Sequence, residues 1–423
     1  GPAQHPDDIS TQLMPQTSGQ FLPPPASHLT PQTPSPFPQT GGSLPPQSAY
    51  PSYSPNQPSA PPQTGQPLSQ PKGRSMTRRT VIAAFAGGAA VASVGLVYSY
   101  YAYISARTGS SSFLNLSPSS TPLMTFTGHT GLIWAVPWSP NGQYIASASA
   151  DGTSHVWNVS TRQPALSYHS DIQSQIQNDG AYSVSWLPDS SRIVIGFEDG
   201  TAQMVDLTTH QQTKLYDSKN AYNVRGVLFA ASISPDGRYV ALAPAGSYNN
   251  AILIFDAQTQ SIVYTLPGHT SPVWSLAWSH NGRYIASGSL DMTVRVWEWD
   301  GSTGKPLFTY DKHTSEVYAV SWSPDDSRIV SASAKGPIYV WAPNNGQTLL
   351  TYSGVLAVAW SHNGKYIASS GGSDIKTHVW NAQNGQLLHA FPSGPITSVS
   401  WSPDNTRIAT ANVVNNVVQV WKI

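Results

Sequence analysis

Seven copies of one short pattern, spaced 38 to 48 residues apart, constrain this chain more than any other feature of it. In most copies an aromatic or apolar residue is followed by Ser, then Pro or His, then a polar turn. The first four are Trp138-Ser139-Pro140-Asn141-Gly142, Trp186-Leu187-Pro188-Asp189, Ile233-Ser234-Pro235-Asp236-Gly237 and Trp278-Ser279-His280-Asn281-Gly282. The last three are Trp322-Ser323-Pro324-Asp325, Trp360-Ser361-His362-Asn363-Gly364 and Trp401-Ser402-Pro403-Asp404. Self-similarity at this period means units that are stacked or arranged radially, each too small to bury a core alone. Runs such as Tyr144-Ile145-Ala146-Ser147-Ala148-Ser149 follow the turns. A second run then ends at Val156-Trp157, Val205-Asp206, Phe255-Asp256, Val296-Trp297, Val340-Trp341, Val379-Trp380 or Val420-Trp421. Short Val-, Ile- and Trp-rich runs bounded by turn residues predict strands, so this part of the chain is expected to be all-β.

The seven units resemble WD40 repeats over roughly residues 122–423. The resemblance implies a seven-bladed β-propeller of four-stranded blades around a central channel. It also implies that a spare strand at Leu123 to Phe126 completes the last blade, whose own third strand runs from Val417 to Ile423. Such closure leaves no open sheet edge. Within a blade of this family, His, Ser or Thr, Asp and Trp form a hydrogen-bonded structural set. Two blades match in full: His129, Ser147, Asp151 and Trp157, then His269, Ser287, Asp291 and Trp297. Elsewhere Lys335 and Asn415 take the Asp position of blades 5 and 7. Val205 takes the Trp position of blade 2, and blade 6 lacks the His. Loss of a partner from a buried polar network costs ~1–3 kcal/mol, so blades 2, 3, 6 and 7 are expected to be the softer ones.

Recurring His, Ser and Asp raise the question of a catalytic triad. A catalytic constellation occurs once, whereas this one recurs with the blade. The chain has no Walker-type phosphate loop, no G-x-S-x-G elbow and no H-E-x-x-H. It has no cysteine, and its histidines lack metal-ligand spacing. No catalysis, cofactor or metal is therefore expected. His155 and His378, each two residues before the blade Trp, read as surface strand positions.

A ring of side chains is the candidate binding site. In the first strand of blade 1, apolar Ile133, Val136 and Trp138 are spaced by three and then two. A strand alternates by two, so a bulge is expected near Trp134 and Ala135, turning Trp134 outward at the rim of the channel. The equivalent positions hold Trp134, Tyr182, Phe229, Trp274, Tyr318, Leu356 and Thr397. Five of the seven are aromatic. They are expected to circle the mouth on one face and bind a protein partner. The alternative is that they pack on neighbouring loops and stabilise the bulge. On the first reading, Trp134→Ala with Trp274→Ala weakens partner binding with little loss of folding.

The N-terminal part differs in kind. Residues 1–73 hold 19 of the 36 prolines, whereas all 14 tryptophans lie at or after Trp134. Residues 1–73 are expected to be a disordered Pro/Gln/Ser-rich tail or linker. Residues 74–107 read as a basic flank and a transmembrane helix, and 108–121 as a linker. Thr80 to Ile104 carries no charge and is long enough to span a bilayer. Lys72, Arg74, Arg78 and Arg79 precede it and only Arg107 closely follows. The positive-inside rule then places the tail in the cytoplasm and the propeller outside a single-pass cell membrane anchor. Two other readings stay open. One is an export signal, with a twin-arginine-like start at Met76 to Ile82 and cleavage near Ile104-Ser105-Ala106. The other is a buried core helix.

This layout is similar to the C-terminal part of some bacterial receptor-like serine/threonine kinases carrying a WD40 propeller. The chain begins at Gly1 rather than Met, which leaves open a kinase or other domain upstream. Formal net charge is zero. Residues 1–107 hold five Lys/Arg and two Asp/Glu, leaving 16 basic and 19 acidic residues, a net of −3, for the rest. That balance favours protein or glycan partners over nucleic acid. The expected function is a membrane-tethered interaction scaffold or sensor. The alternatives are an exported propeller enzyme acting on peptides or glycans, and a secreted soluble scaffold.

Overall fold

The structure is a computed structural model that describes residues 121–169, 180–218, 226–245 and 250–423. The tail, the basic flank with segment 80–104, and linker residues up to 120 lie outside the described residues. Among the described residues, no helix is long and apolar enough to cross a membrane.

Each pattern unit begins with a turn that its own residues stabilise. In blade 1 the Ser139 hydroxyl donates to Asn141 Oδ1 at 2.7 Å and accepts the Tyr144 N–H at 2.9 Å. Ser234 with Asp236, Ser279 with Asn281, Ser323 with Asp325, Ser361 with Asn363 and Ser402 with Asp404 do the same. Such side-chain bonds hold the backbone in a turn rather than a strand. The fourth residue after each anchor has positive φ in all seven blades: Gly142, Ser190, Gly237, Gly282, Asp326, Gly364 and Asn405, between 57° and 73°. That left-handed conformation favours glycine and tolerates short polar residues.

Between these turns the chain forms seven antiparallel four-stranded sheets. Blade 1 comprises strand a, Ile133–Ala135; b, Tyr144–Ser149; c, Thr153–Asn158; and d, Gln163–His169. Blades 2 to 6 repeat this order over 181–217, 228–266, 273–310, 317–352 and 358–391. Blade 7 takes strands a to c from Ile396–Trp401, Arg407–Asn412 and Val417–Lys422. Its strand d is Met124–Phe126, paired Met124 to Val420, Thr125 to Gln419 and Phe126 to Val418. The expected closure is therefore present.

The core lies between the blades rather than within one sheet. Seven apolar clusters each join two consecutive blades around the ring. The cluster between blades 7 and 1, for example, packs Phe126, Val418 and Val420 against Ile133, Trp138 and Trp157. Hydrogen bonds cross the same seams. Trp186, Trp278, Trp322 and Trp401 donate their indole N–H to Pro137, Ser232, Ala277 and Ala359 of the preceding blade, each at 3.1 Å. In these four blades the anchor tryptophan is thus a stitch between blades, which spacing alone does not reveal.

Candidate functional site

Two constellations dominate one face of the propeller. Ile133 at the start of strand a pairs with Ser149 at the end of b. The strand-a starts therefore lie beside the b–c turns, which carry Asp151 and its equivalents.

The first constellation is the polar set. His129 Nδ1 lies 2.9 Å from Asp151 Oδ2, and its Nε2 2.8 Å from Ser147 Oγ. Trp157 Nε1–H donates to that hydroxyl at 2.8 Å. In blade 4 the corresponding distances are 2.8, 2.7 and 3.0 Å. The order Ser–His–Asp is that of a hydrolase triad, but the environment forbids attack. Ser147 and Ser287 are fully buried, and the indole N–H already occupies each hydroxyl. The arrangement is a strut pinning the d–a loop to the b–c turn. Burial works to raise the pKa of Asp151. Hydrogen bonds from His129, Thr153 and the Thr130 N–H outweigh it and hold the carboxyl below the usual carboxylate range. Asp291 is held low in the same way, with His269 the principal partner opposing burial.

The other blades depart in ways that change the expected soft spots. Trp341, Trp380 and Trp421 keep their bond to Ser331, Ser369 and Thr410. Blades 2 and 3 place Ile195 with Val205 and Leu242 with Phe255 at the matching positions. Replacing both partners by apolar groups leaves nothing orphaned, so blade 3 loses little. Blade 6 lacks the loop histidine, but His378 Nε2 reaches Asp374 at 2.7 Å from strand c. His378 is 6% exposed, so it is no surface position, and His155 packs on His129 at 4.4 Å. Both histidines are strut elements. Buried atoms without a partner include Asp199 Oδ2 in blade 2 and His313 Nδ1 in blade 5, where Lys335 stands in the Asp position, and also the Nδ1 atoms of His155 and His378.

His313 supplies a pH prediction. Burial lowers its pKa to about 4 in the folded state, and burial together with the charge of His129 lowers His155 to about 4. Unfolded histidine takes up a proton near pH 6.5. Because the folded pKa values are the lower ones, this stability is complete above pH 6.5 and is lost as pH falls toward 4. The melting temperature should decline across that window. His313→Gln should flatten the decline, as followed by circular dichroism at each pH.

The second constellation is the ring of seven. Strand a carries the expected irregularity at the same site in six blades. The register shifts around Trp134, Tyr182, Phe229, Trp274, Tyr318 and Thr397. In blade 6, Leu356 precedes the strand with φ 64°. The side chains do not stand outward around an open mouth. They converge and close it. Trp134 stacks on Tyr182 at 5.5 Å, and Phe229 on Trp274 at 4.3 Å. Trp134 meets Trp274 edge-on at 6.0 Å, although they come from blades 1 and 4. Tyr182, Phe229, Tyr318 and Leu356 are buried. Trp134, Trp274 and Thr397 keep partial exposure. The physical reason is the bore: five aromatic side chains and a leucine at one level have nowhere to go but against each other. Below the plug lies a cavity of about 220 Å³, lined by the Ala or Ser that follows each ring residue.

Two exposed apolar residues on this face escaped the sequence reading. Met292 and Val414, in the b–c turns of blades 4 and 7, are 44% and 66% exposed. The signal at Met292, an apolar residue where Gly152 and Gly200 stand in blades 1 and 2, is faint. Among the described residues, no group of three or more His, Asp or Glu is placed to hold a metal.

Comparison with known proteins gives a family match to part of the chain. The model for the WD domain, G-beta repeat, matches residues 120–158, 260–298, 304–341, 345–381 and 385–422. The stretch left unmatched between the first two covers blade 2 and most of blade 3, where hydroxyl and indole are replaced by apolar residues. Mouse (Mus musculus) striatin is 28% identical over 184 residues, 42% of this chain and 22% of that protein. A probable cytosolic iron-sulfur protein assembly protein CIAO1 homolog of Schistosoma japonicum is 38% identical over 179 residues, 42% of this chain and 49% of that protein. Cell division control protein 4 of Saccharomyces cerevisiae is 28% identical over 186 residues, 42% of this chain and 24% of that protein. The aligned stretches span less than half the length of each of these relatives.

Proposed function

From a chain that carries WD40 repeats folded as a seven-bladed propeller, we propose a membrane-tethered interaction scaffold or sensor without catalysis of its own. The observation that carries it is the plugged face. Aromatic side chains close the channel, and the partly buried Trp134 and Trp274 share that face with exposed Met292 and Val414. Rigid aromatic area beside exposed apolar residues suits a protein partner. Among the described residues, the triad-like geometry of the His129 and His269 sets is sealed within the blades, which supports a non-catalytic role. The relatives whose repeats align here carry names of assembly and cell-division proteins, consistent with scaffolding. The net of −3 on the propeller side argues against nucleic acid. In the proposed arrangement, residues 80–104 anchor the chain once in the cell membrane. The tail is cytoplasmic and the propeller extracytoplasmic, a layout similar to that of propeller-bearing bacterial receptor kinases.

Protease added to sealed cells expressing the chain tests the topology. Loss of a propeller-sized domain with the tail protected is expected; a protected propeller would overturn it. A photo-crosslinking residue at 292 or 414 tests the face. Discrete adducts are expected there and not at the outer-strand position 307. Adducts at 307 alone would move the binding surface to the outer strands.

A further inference from the structure

The face opposite the plug is charged unevenly around the ring. It is built from the a–b turns, the c–d turns and the strand ends beside them. In blades 2, 3 and 4 these positions carry four cations and six carboxylates, a net of −2. All four cations are paired. Arg192 lies 2.7 Å from Asp189, Arg238 lies 3.2 Å from Asp256, and Arg283 and Lys305 lie 2.7 and 3.1 Å from Glu298. Asp206, Asp236 and Asp300 stand outside these pairs.

Blades 5, 6, 7 and 1 reverse the balance. The equivalent positions carry five cations, Arg328, Lys365, Arg407, Lys422 and Arg162, against Asp325, Asp326 and Asp404, a net of +2. Those three carboxylates sit in a–b turns. Asp325 and Asp326 are spent on a turn hydroxyl and on backbone N–H groups, and Asp404 on the Ser402 hydroxyl and on Arg407 at 3.2 Å. The c–d turns at the outer rim, 158–162, 342–347 and 381–386, hold no carboxylate. Exposed Arg162, Lys365 and Lys422 make no ion pair among the described residues, and Lys422 stands opposite Arg407 across the strand pair.

Exposed leucines lie along the same rim. Leu349 and Leu387 with Leu388 stand at the start of the outer strands of blades 5 and 6, and Leu123 just before that of blade 7. Single exposed apolar residues are ordinary, and Ile262, Val263 and Leu307 of blades 3 and 4 are exposed too, but in the acidic sector. Leucine beside unpaired Lys and Arg suits the interface of an anionic bilayer. Apolar side chains enter the headgroup boundary while the cations meet lipid phosphates. The chain itself favours a bilayer over a protein here. With the anchor at 80–104, the connecting residues 105–122 return to the ring at Leu123, within this sector. Even fully extended, that connection reaches only ~60 Å.

We propose that the rim of blades 5, 6, 7 and 1 docks on anionic lipid of the bilayer that anchors the chain, turning the plugged face away from that bilayer and toward a partner. The inference rests on the membrane-tethered reading above.

The chain has no cysteine, so a single environment-sensitive fluorophore can be placed through Leu388→Cys inside the sector or Val263→Cys outside it. The full chain is reconstituted into phosphatidylcholine vesicles containing spin-labelled lipid, with or without phosphatidylglycerol. The label at 388 should be quenched only where phosphatidylglycerol is present, and less so in high salt; the label at 263 should not be quenched. Arg162→Glu, Lys365→Glu and Lys422→Glu together should leave the melting temperature unchanged and lower the ratio of docked to free propeller at least about tenfold. If the triple variant melts lower, Lys365→Glu alone decides. Docking is overturned if 388 is quenched no more than 263, if phosphatidylglycerol makes no difference, or if quenching survives the charge reversals. Alkaline carbonate extraction of the same vesicles reports separately on the anchor. If carbonate strips the chain, the tether reading fails. Docking then stands only if the chain still floats with phosphatidylglycerol vesicles and the charge reversals abolish it.

Discussion

Deleting residues 122–127 should lower the melting temperature of the propeller by at least about 10 °C and make the protein associate with itself. The segment supplies the fourth strand of blade 7, Met124–Phe126. Phe126 is 2% exposed and lies 5.3 Å from Trp157 of blade 1, so the strand also fills the seam between blades 7 and 1. Removing a buried Phe alone typically costs about 3–5 kcal/mol, and here the backbone pairing with Val417–Lys422 goes with it. That strand then becomes an exposed edge, a template for pairing with another chain. Thermal melts and light scattering on the truncated chain check both halves. A peptide covering 120–128, added in trans, should restore part of the loss. An unchanged melt would mean that the seam holds without its closing strand.

The second large effect reverses an expectation drawn from sequence. Trp134→Ala with Trp274→Ala should destabilise the fold, by about 4 kcal/mol for the pair, besides removing the plugged surface. Two apolar clusters meet at the channel mouth, one around Tyr318, Val355 and Leu356 and the other around Tyr182, Val227 and Phe229. Both tryptophans pack against both. The pair bridges blades on opposite sides of the channel, and their direct contact makes the two losses non-additive. Chemical denaturation of both single variants and the double variant closes the cycle. Strictly additive losses, or no loss, would return these side chains to the role of detachable surface residues.

The ring of blades was legible from sequence because each unit repeats its own local chemistry. The Ser-x-Asn/Asp turn, the strand-like run and the closing Trp recur with enough regularity to count seven and to anticipate closure by Leu123 to Phe126. The bulge at Trp134 was legible too, since apolar spacing of three and then two breaks strand alternation. The fate of the bulged side chains was not, because it depends on the width of the channel, which no single blade encodes. The polar pairing of blade 6 is hidden from the repeat signature, because His378 reaches Asp374 from strand c rather than from the loop. In blade 3 Leu242 and Phe255 replace both hydroxyl and indole, so the polar pair is replaced whole rather than broken.

The closing strand also decides how the domain meets mechanical load. The chain enters the ring at Leu123 and Met124, and the first backbone pairings it makes are those of a three-residue strand. Tension arriving from the N-terminal side falls on that strand before any other part of the molecule. Under force, the ring would open at its clasp while its other seams stay packed. Heat has no such point of attack and tests every seam at once.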